Sequence, residues 1–245
     1  MTPLARLAAA SFLALSLTLG GTAAHASELS DFHAASESAF TPYRTAMSYL
    51  RTGNIDAAAF ELEAMIAAWT ALEGRFAGNP PDAFSDDPAY EEVIVRIGDD
   101  SEAALLAVDS GDPEGAGALL KPLHPLLGDL RRRNGLYLLS DCVREFYDAM
   151  DALWVYRHEM PDLSAAPARV EVLTKAAVVE YATGRCEAIA EPALREDPEF
   201  RRLFDIFYDG MAPLREGVID QDSVRIINVL RELRSAQMLI FLRFG

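Results

Sequence analysis

The stretch LLKPLHPLLGDLRRRNG, residues 119–135, places one histidine between two prolines on an apolar helical stripe and follows it with three arginines. A neutral imidazole in such a place is a candidate axial ligand for haem or a transition metal. Met47, on the first apolar-periodic segment, is the thioether that could oppose it. His124 also has a structural use. Pro122 and Pro125 each delete a backbone donor, and an imidazole beside them can satisfy a carbonyl left without its helical partner. That is its expected role, with ligation of haem or a metal by Met47 and His124 as the alternative. Met47 and Met150 are both expected to fill the core.

Arg131, Arg132 and Arg133 lie in the last turn before Gly135, where cations complement the negative end of a helix. Their functional alternative is a patch for an anion or an acidic partner. Cys142 and Cys186 stand outside any CxxC or CxxCH motif, which excludes thioredoxin-type exchange and covalent haem attachment; a structural disulfide is expected, with two inert buried thiols as the alternative. His33 and His158 belong to no metal-ligand spacing, and the acidic clusters at 86–87, 99–100 and 109–114 lack the order of a calcium loop. No nucleophile–base pairing, phosphate loop or zinc spacing supports an enzyme.

Helices must position all of these residues. Asp87-Pro88, Asp112-Pro113 and Asp197-Pro198 are helix entries, since Asp caps free N–H groups and Pro fits the first turn. The spacing predicts helices over about 29–52, 54–78, 88–110 and 112–134, then 136–159, 167–192, 198–220 and 222–244. With an offset of 110, Tyr90, Val93, Ile94, Ile97, Ala104 and Val108 fall on Phe200, Leu203, Phe204, Phe207, Leu214 and Val218. Leu119, Leu120, Leu123 and Leu130 then fall on Val229, Leu230, Leu233 and Ile240. A shared cap, stripe and endpoint indicate internal duplication. The expected fold is all-α: two tandem antiparallel four-helix bundles, residues 27–135 and 136–245. Cys142 and Cys186 average to position 164, inside the loop PDLSAAPA, so they face one another across a hairpin.

This duplicated plan, with Met47 on a first helix and His124 on a fourth, resembles the four-helix bundles of cytochrome c′ and cytochrome b562. The resemblance implies a haem within the bundle. Cytochrome c′ attaches it through CxxCH, absent here; the b562 arrangement of a Met and a His has Met47 and His124 as its counterparts. His124 is counted about a turn or two below Met47, which sets the pair against a common iron.

Residues 1–26 have a positive start at Arg6, an apolar run and an Ala24-His25-Ala26 cleavage site, so they are expected to be an export leader. Without Arg6 the formal charge moves from −16 to −17. An acidic surface of this size repels phosphate backbones and excludes nucleic acid as a partner. No later segment is apolar for the roughly 20 residues a spanning helix needs. The expected protein is periplasmic, non-catalytic and without cofactor, a binding or scaffolding module whose partner is another periplasmic protein. The alternative is a carrier of non-covalent haem or a metal in the first bundle.

Overall fold

The computed structural model describes residues 20–245, with side chains from Glu28 onward. Most of the leader expected at 1–26 lies outside them. Among the described residues the chain is helical and contains no strand. In order it forms α1 (Gly20–Thr52), α2 (Ile55–Phe76), α3 (Tyr90–Asp109), α4 (Pro113–Leu120) and α5 (Leu123–Arg133). Then follow α6 (Leu139–Trp154), α7 (Ala166–Ile189), α8 (Pro192–Arg195), α9 (Pro198–Ile219) and α10 (Ser223–Phe244). Short 3-10 turns occupy Asp82–Phe84 and Val155–Arg157.

The acidic entries act as caps. Asp112 accepts from the Gly115 N–H at 2.8 Å and Asp222 from the Arg225 N–H at 3.0 Å. Asp197 accepts from both Glu199 and Phe200 N–H at 2.9 Å. Asp87 takes the Ala89 N–H at 3.0 Å, but α3 begins only at Tyr90, because the Asp87 carboxylate is also held by Arg133 and Asn134.

One expected helix is two. The segment over 112–134 breaks at Lys121-Pro122 into α4 and α5. At the break the Tyr43 hydroxyl, reaching from α1, donates to the Leu120 carbonyl at 3.2 Å. The corresponding stretch of α10 has Arg231 and Glu232 there and runs unbroken. Pro42 and Pro213, by contrast, sit inside continuous helices.

Packing follows sequence order: α1 on α2, α2 on α3, α3 on α4, with α4 returning to α1. Further along, α6 packs on α7, α7 on α9, α9 on α10, and α10 returns to α6. The two sets meet where α1 touches α10 and α5 touches α6. Buried apolar side chains form one continuous cluster from Phe32 to Phe241.

Two turns in this architecture share a hydrogen-bond pattern. At 110–112, Ser110, Gly111 and Asp112 donate to Leu106, Val108 and Ala107; at 220–222, Asp220, Gln221 and Asp222 donate to Glu216, Val218 and Gly217. Gly111 and Gln221 are both left-handed, at φ +81° and +58°. Asp220–Asp222 therefore close their turn without the glycine such a conformation favours.

A disulfide joins Cys142 of α6 to Cys186 of α7, with Cα atoms 5.4 Å apart. The hairpin geometry expected from the sequence places them opposite one another. Closing a loop of this length stabilises the fold by about 4 kcal/mol through lost chain entropy. No helix among the described residues is long and apolar enough to cross a membrane.

Candidate functional site: a cleft where four helices meet

A cleft of about 430 Å³ opens at the junction of the two helix sets. α1 contributes Met47, Ser48, Leu50 and Arg51 from its last turns; α4 contributes Pro113, Glu114 and Gly117, with Lys121 at the break. α6 supplies Arg144, Tyr147, Asp148 and Asp151, and α10 supplies Met238 and Phe241. The volume falls within the ~300–1,000 Å³ of small-ligand sites, and an apolar lining with a few charged groups is their usual character.

The α6 wall is fixed by its neighbours. The Tyr147 ring packs on Phe241 at 4.9 Å and lies between the Arg144 and Arg234 guanidiniums, at 5.5 and 5.3 Å. Gln237 donates to the Tyr147 carbonyl at 3.2 Å. Arg144 pairs with Asp148 at 2.6 Å, one turn on, and Asp151 pairs with Arg234. Partial desolvation raises the Asp148 carboxyl and the nearby Arg144 opposes that rise. Arg51 and Lys121 are exposed and make no ion pair among the described residues.

A second, smaller cavity of about 80 Å³ lies between α5 and α6 and shares Arg144 and Asp148 with the cleft. His124 and Gly128 line it from α5. His124 is 2% exposed, packs edge-on against Phe40 at 5.3 Å, and its Nδ1 is buried without a hydrogen-bond partner. Its pKa is held well below the ordinary value by desolvation first, then by Arg131, Arg144, Arg44 and Arg132. The ring is neutral at pH 7.

The geometry revises several expectations. The buried Nδ1 of His124 bonds no carbonyl at the helix break; there the Tyr43 hydroxyl donates to Leu120, and burial pushes that hydroxyl's pKa up to about 12. Met47 is a half-buried wall of the cleft, whereas Met150 is fully buried. His124 sits at the level of Phe40, and Met47 is seven residues further along α1, roughly 10 Å at the helical rise. The two line different cavities, and the one beside His124 is far below the size of a macrocycle's site. Met47 and His124 therefore do not fit a shared haem. No group of three or more His, Cys, Asp or Glu among the described residues could hold a metal ion.

The three arginines do not form one free patch, because each already has a carboxylate of this chain. Arg131 is buried and grips Asp141 with Nε at 3.1 and 3.0 Å and Nη2 at 2.5 Å. Arg132 pairs with Asp129 and, at 3.5 Å, with Glu145; Arg133 pairs with Asp87. Asp141 also accepts the Leu138 N–H at 3.0 Å, which closes the entry to α6. Gly128 permits this approach: a Cβ there would stand 2.9 Å from the Asp141 carboxylate.

Sequence reasoning missed the cleft residues Arg51, Lys121, Arg144, Tyr147, Asp148, Asp151, Met238 and Phe241, as well as buried Arg44, which donates to the Gly245 carbonyl and ties α1 to the end of α10. None belongs to a local motif; they meet only because α1, α4, α6 and α10 converge. Compared with protein-family models, curated proteins and solved structures, the chain matches none.

Proposed function

We propose that the chain is an exported, non-catalytic binding module that works through the cleft between two four-helix bundles of common descent. Duplication is supported by the register of 110. Six stripe positions of α3 and their partners in α9 are buried alike, as are Leu120, Leu123 and Leu130 with Leu230, Leu233 and Ile240. The caps at Asp112 and Asp222 and the left-handed residues Gly111 and Gln221 keep the same offset. Chance would not align caps, turns and buried stripe together. Export accords with the leader-like sequence at 1–26 and with the disulfide, a bond that persists in oxidising compartments.

The observation that carries the binding role is the cleft itself: methionine and aromatic surface from both helix sets, beside Arg51 and Lys121, which make no ion pair among the described residues. A non-catalytic role accords with the arrangement of polar groups. His124 meets neither a hydroxyl nor a carboxylate, and the acids Asp141, Asp148 and Asp151 are engaged by arginines.

Gly117 offers a direct test. It lines the cleft, and a Cβ on it would meet nothing within 4 Å, so Gly117→Trp sets a large ring at the cleft from an open position, with far-UV circular dichroism checking that the helices are intact. Replacing a helical glycine removes roughly 0.5–1 kcal/mol of propensity cost. Gly74→Trp, equally open but on α2, is the control. Small molecules that stabilise the wild type in a thermal-shift screen should fail on Gly117→Trp and succeed on Gly74→Trp. Equal stabilisation of all three proteins would place binding elsewhere and overturn the cleft.

A further inference from the structure

Most polar groups of the cleft are already satisfied, and those left over define what a ligand must bring. Asp148 is held by Arg144 and Asp151 by Arg234. Arg51 and Lys121 have no ion pair among the described residues, and the buried Nε of Arg144 has no acceptor. Glu114 is also without an ion pair, but it stands in the first turn of α4, where the helix's positive end favours it. The unmet demand is therefore for acceptors carrying negative charge, on a chain whose net charge is −16. Beside those donors lie Met47, Leu50, Met238 and Phe241, an apolar surface that adaptable methionine side chains allow to fit a flexible chain.

We infer that the cleft binds a small amphiphilic anion, a medium-length alkyl chain ending in a carboxylate, with its head at Arg51 and Lys121 and its tail along Met47, Met238 and Phe241. This rests on the cleft being the binding surface. The size of the cleft suits one such molecule and not a protein flank, and a free monomer is the source. The net charge of −16 on the chain repels an anionic bilayer. Charge pairing at the mouth selects the head, and burial of methylenes supplies affinity in proportion to tail length.

Calorimetry with decanoate, decanol and decyltrimethylammonium, each below its aggregation threshold, tests the inference. The expected result is micromolar binding of decanoate, at least tenfold tighter than either other head group, weakened by added salt. Arg51→Gln with Lys121→Gln should weaken decanoate at least tenfold and leave decanol unchanged, while Arg51→Lys with Lys121→Arg retains binding. Both positions are exposed and unbonded, so the fold survives these changes. Gly117→Trp should abolish decanoate binding. Decanol binding as tightly as decanoate, yet lost in Gly117→Trp, would overturn the anionic head and leave the cleft standing. Preference for the cationic amphiphile, no binding of decanoate, or sedimentation with phosphatidylglycerol vesicles in place of monomer binding would each overturn the inference. The thermal-shift comparison of Gly117→Trp with Gly74→Trp still judges the cleft independently.

Discussion

Deleting the Asp141 carboxylate separates a structural arginine from a ligand-binding one. The Arg131 and Asp141 side chains are 2% and 0% exposed, and three N–H···O contacts join them. Asp141→Ala leaves a guanidinium buried with its charge uncompensated, which costs about 3–5 kcal/mol. It also strips the acceptor from the Leu138 N–H at the entry to α6. A chain of this size loses about 2–4 °C of Tm per kcal/mol, so a loss of about 4 kcal/mol lowers Tm by roughly 8–16 °C. Arg131→Met combined with Asp141→Leu removes both charges and refills the space. That double variant should lie within about 1 kcal/mol of wild type, because an ion pair in the interior gains little over a well-packed apolar pair. Urea unfolding followed by far-UV circular dichroism measures all three proteins. A loss below about 1 kcal/mol in Asp141→Ala, or a double variant as unstable as the single one, would refute the reasoning. An anion site at Arg131 makes a different forecast: stabilisation by millimolar phosphate that disappears in Arg131→Met.

Replacing both Cys142 and Cys186 by Ala should lower stability by about 4 kcal/mol and leave decanoate affinity unchanged; a lost affinity with an intact fold would give the pair a functional role. His124 makes stability depend on acid. The folded ring is neutral, with its pKa lowered chiefly by burial, whereas the unfolded chain takes up a proton below about pH 6.5. Its contribution is complete above that pH and is lost as pH falls beneath it, by up to about 1.4 kcal/mol per unit until the folded pKa is reached. Unfolding free energies at about pH 7.5 and about pH 5.5 should fall less for His124→Leu than for wild type by roughly 1 kcal/mol, and parallel slopes would sink this account. His33, also lowered by burial, is present in both proteins and cancels.

The elements were legible because their signals are local. Expected helices over 54–78 and 222–244 became Ile55–Phe76 and Ser223–Phe244, since Asn54 and Asp222 mark entries and the apolar spacing marks the buried face. The disulfide was legible because an antiparallel hairpin pairs residues equidistant from its turn. The sorting of the arginines was not read, although a signal existed. Leu120, Leu123, Leu127 and Leu130 form the inward stripe, and Arg131 stands four residues after Leu127 on that same side. Three adjacent arginines look alike in composition; a rotation of about 100° per residue gives them different neighbours. The cleft had no local signal. Its walls come from four helices whose mutual placement depends on how one helix set docks on the other.

That docking accounts for differences between positions 110 residues apart. In the 110-residue register His124 corresponds to Arg234, Leu127 to Gln237 and Gly128 to Met238. Arg234 lies over the rings of Tyr147 and Trp154, Gln237 bonds the Tyr147 backbone, and Met238 lines the cleft. On α5, His124 and Gly128 line the cavity beside Asp141 and Arg144. All of these neighbours belong to α6, which α10 meets within its own set and α5 meets from the other. One helix thus receives two faces that correspond in the 110-residue register. Two identical faces could not serve both contacts, because the α5 side must admit the Asp141 carboxylate at 2.9 Å from Gly128 while the α10 side must fill the floor of a cleft. Different residues at these register positions meet the two contacts on α6, and the cleft of the proposed function opens beside them.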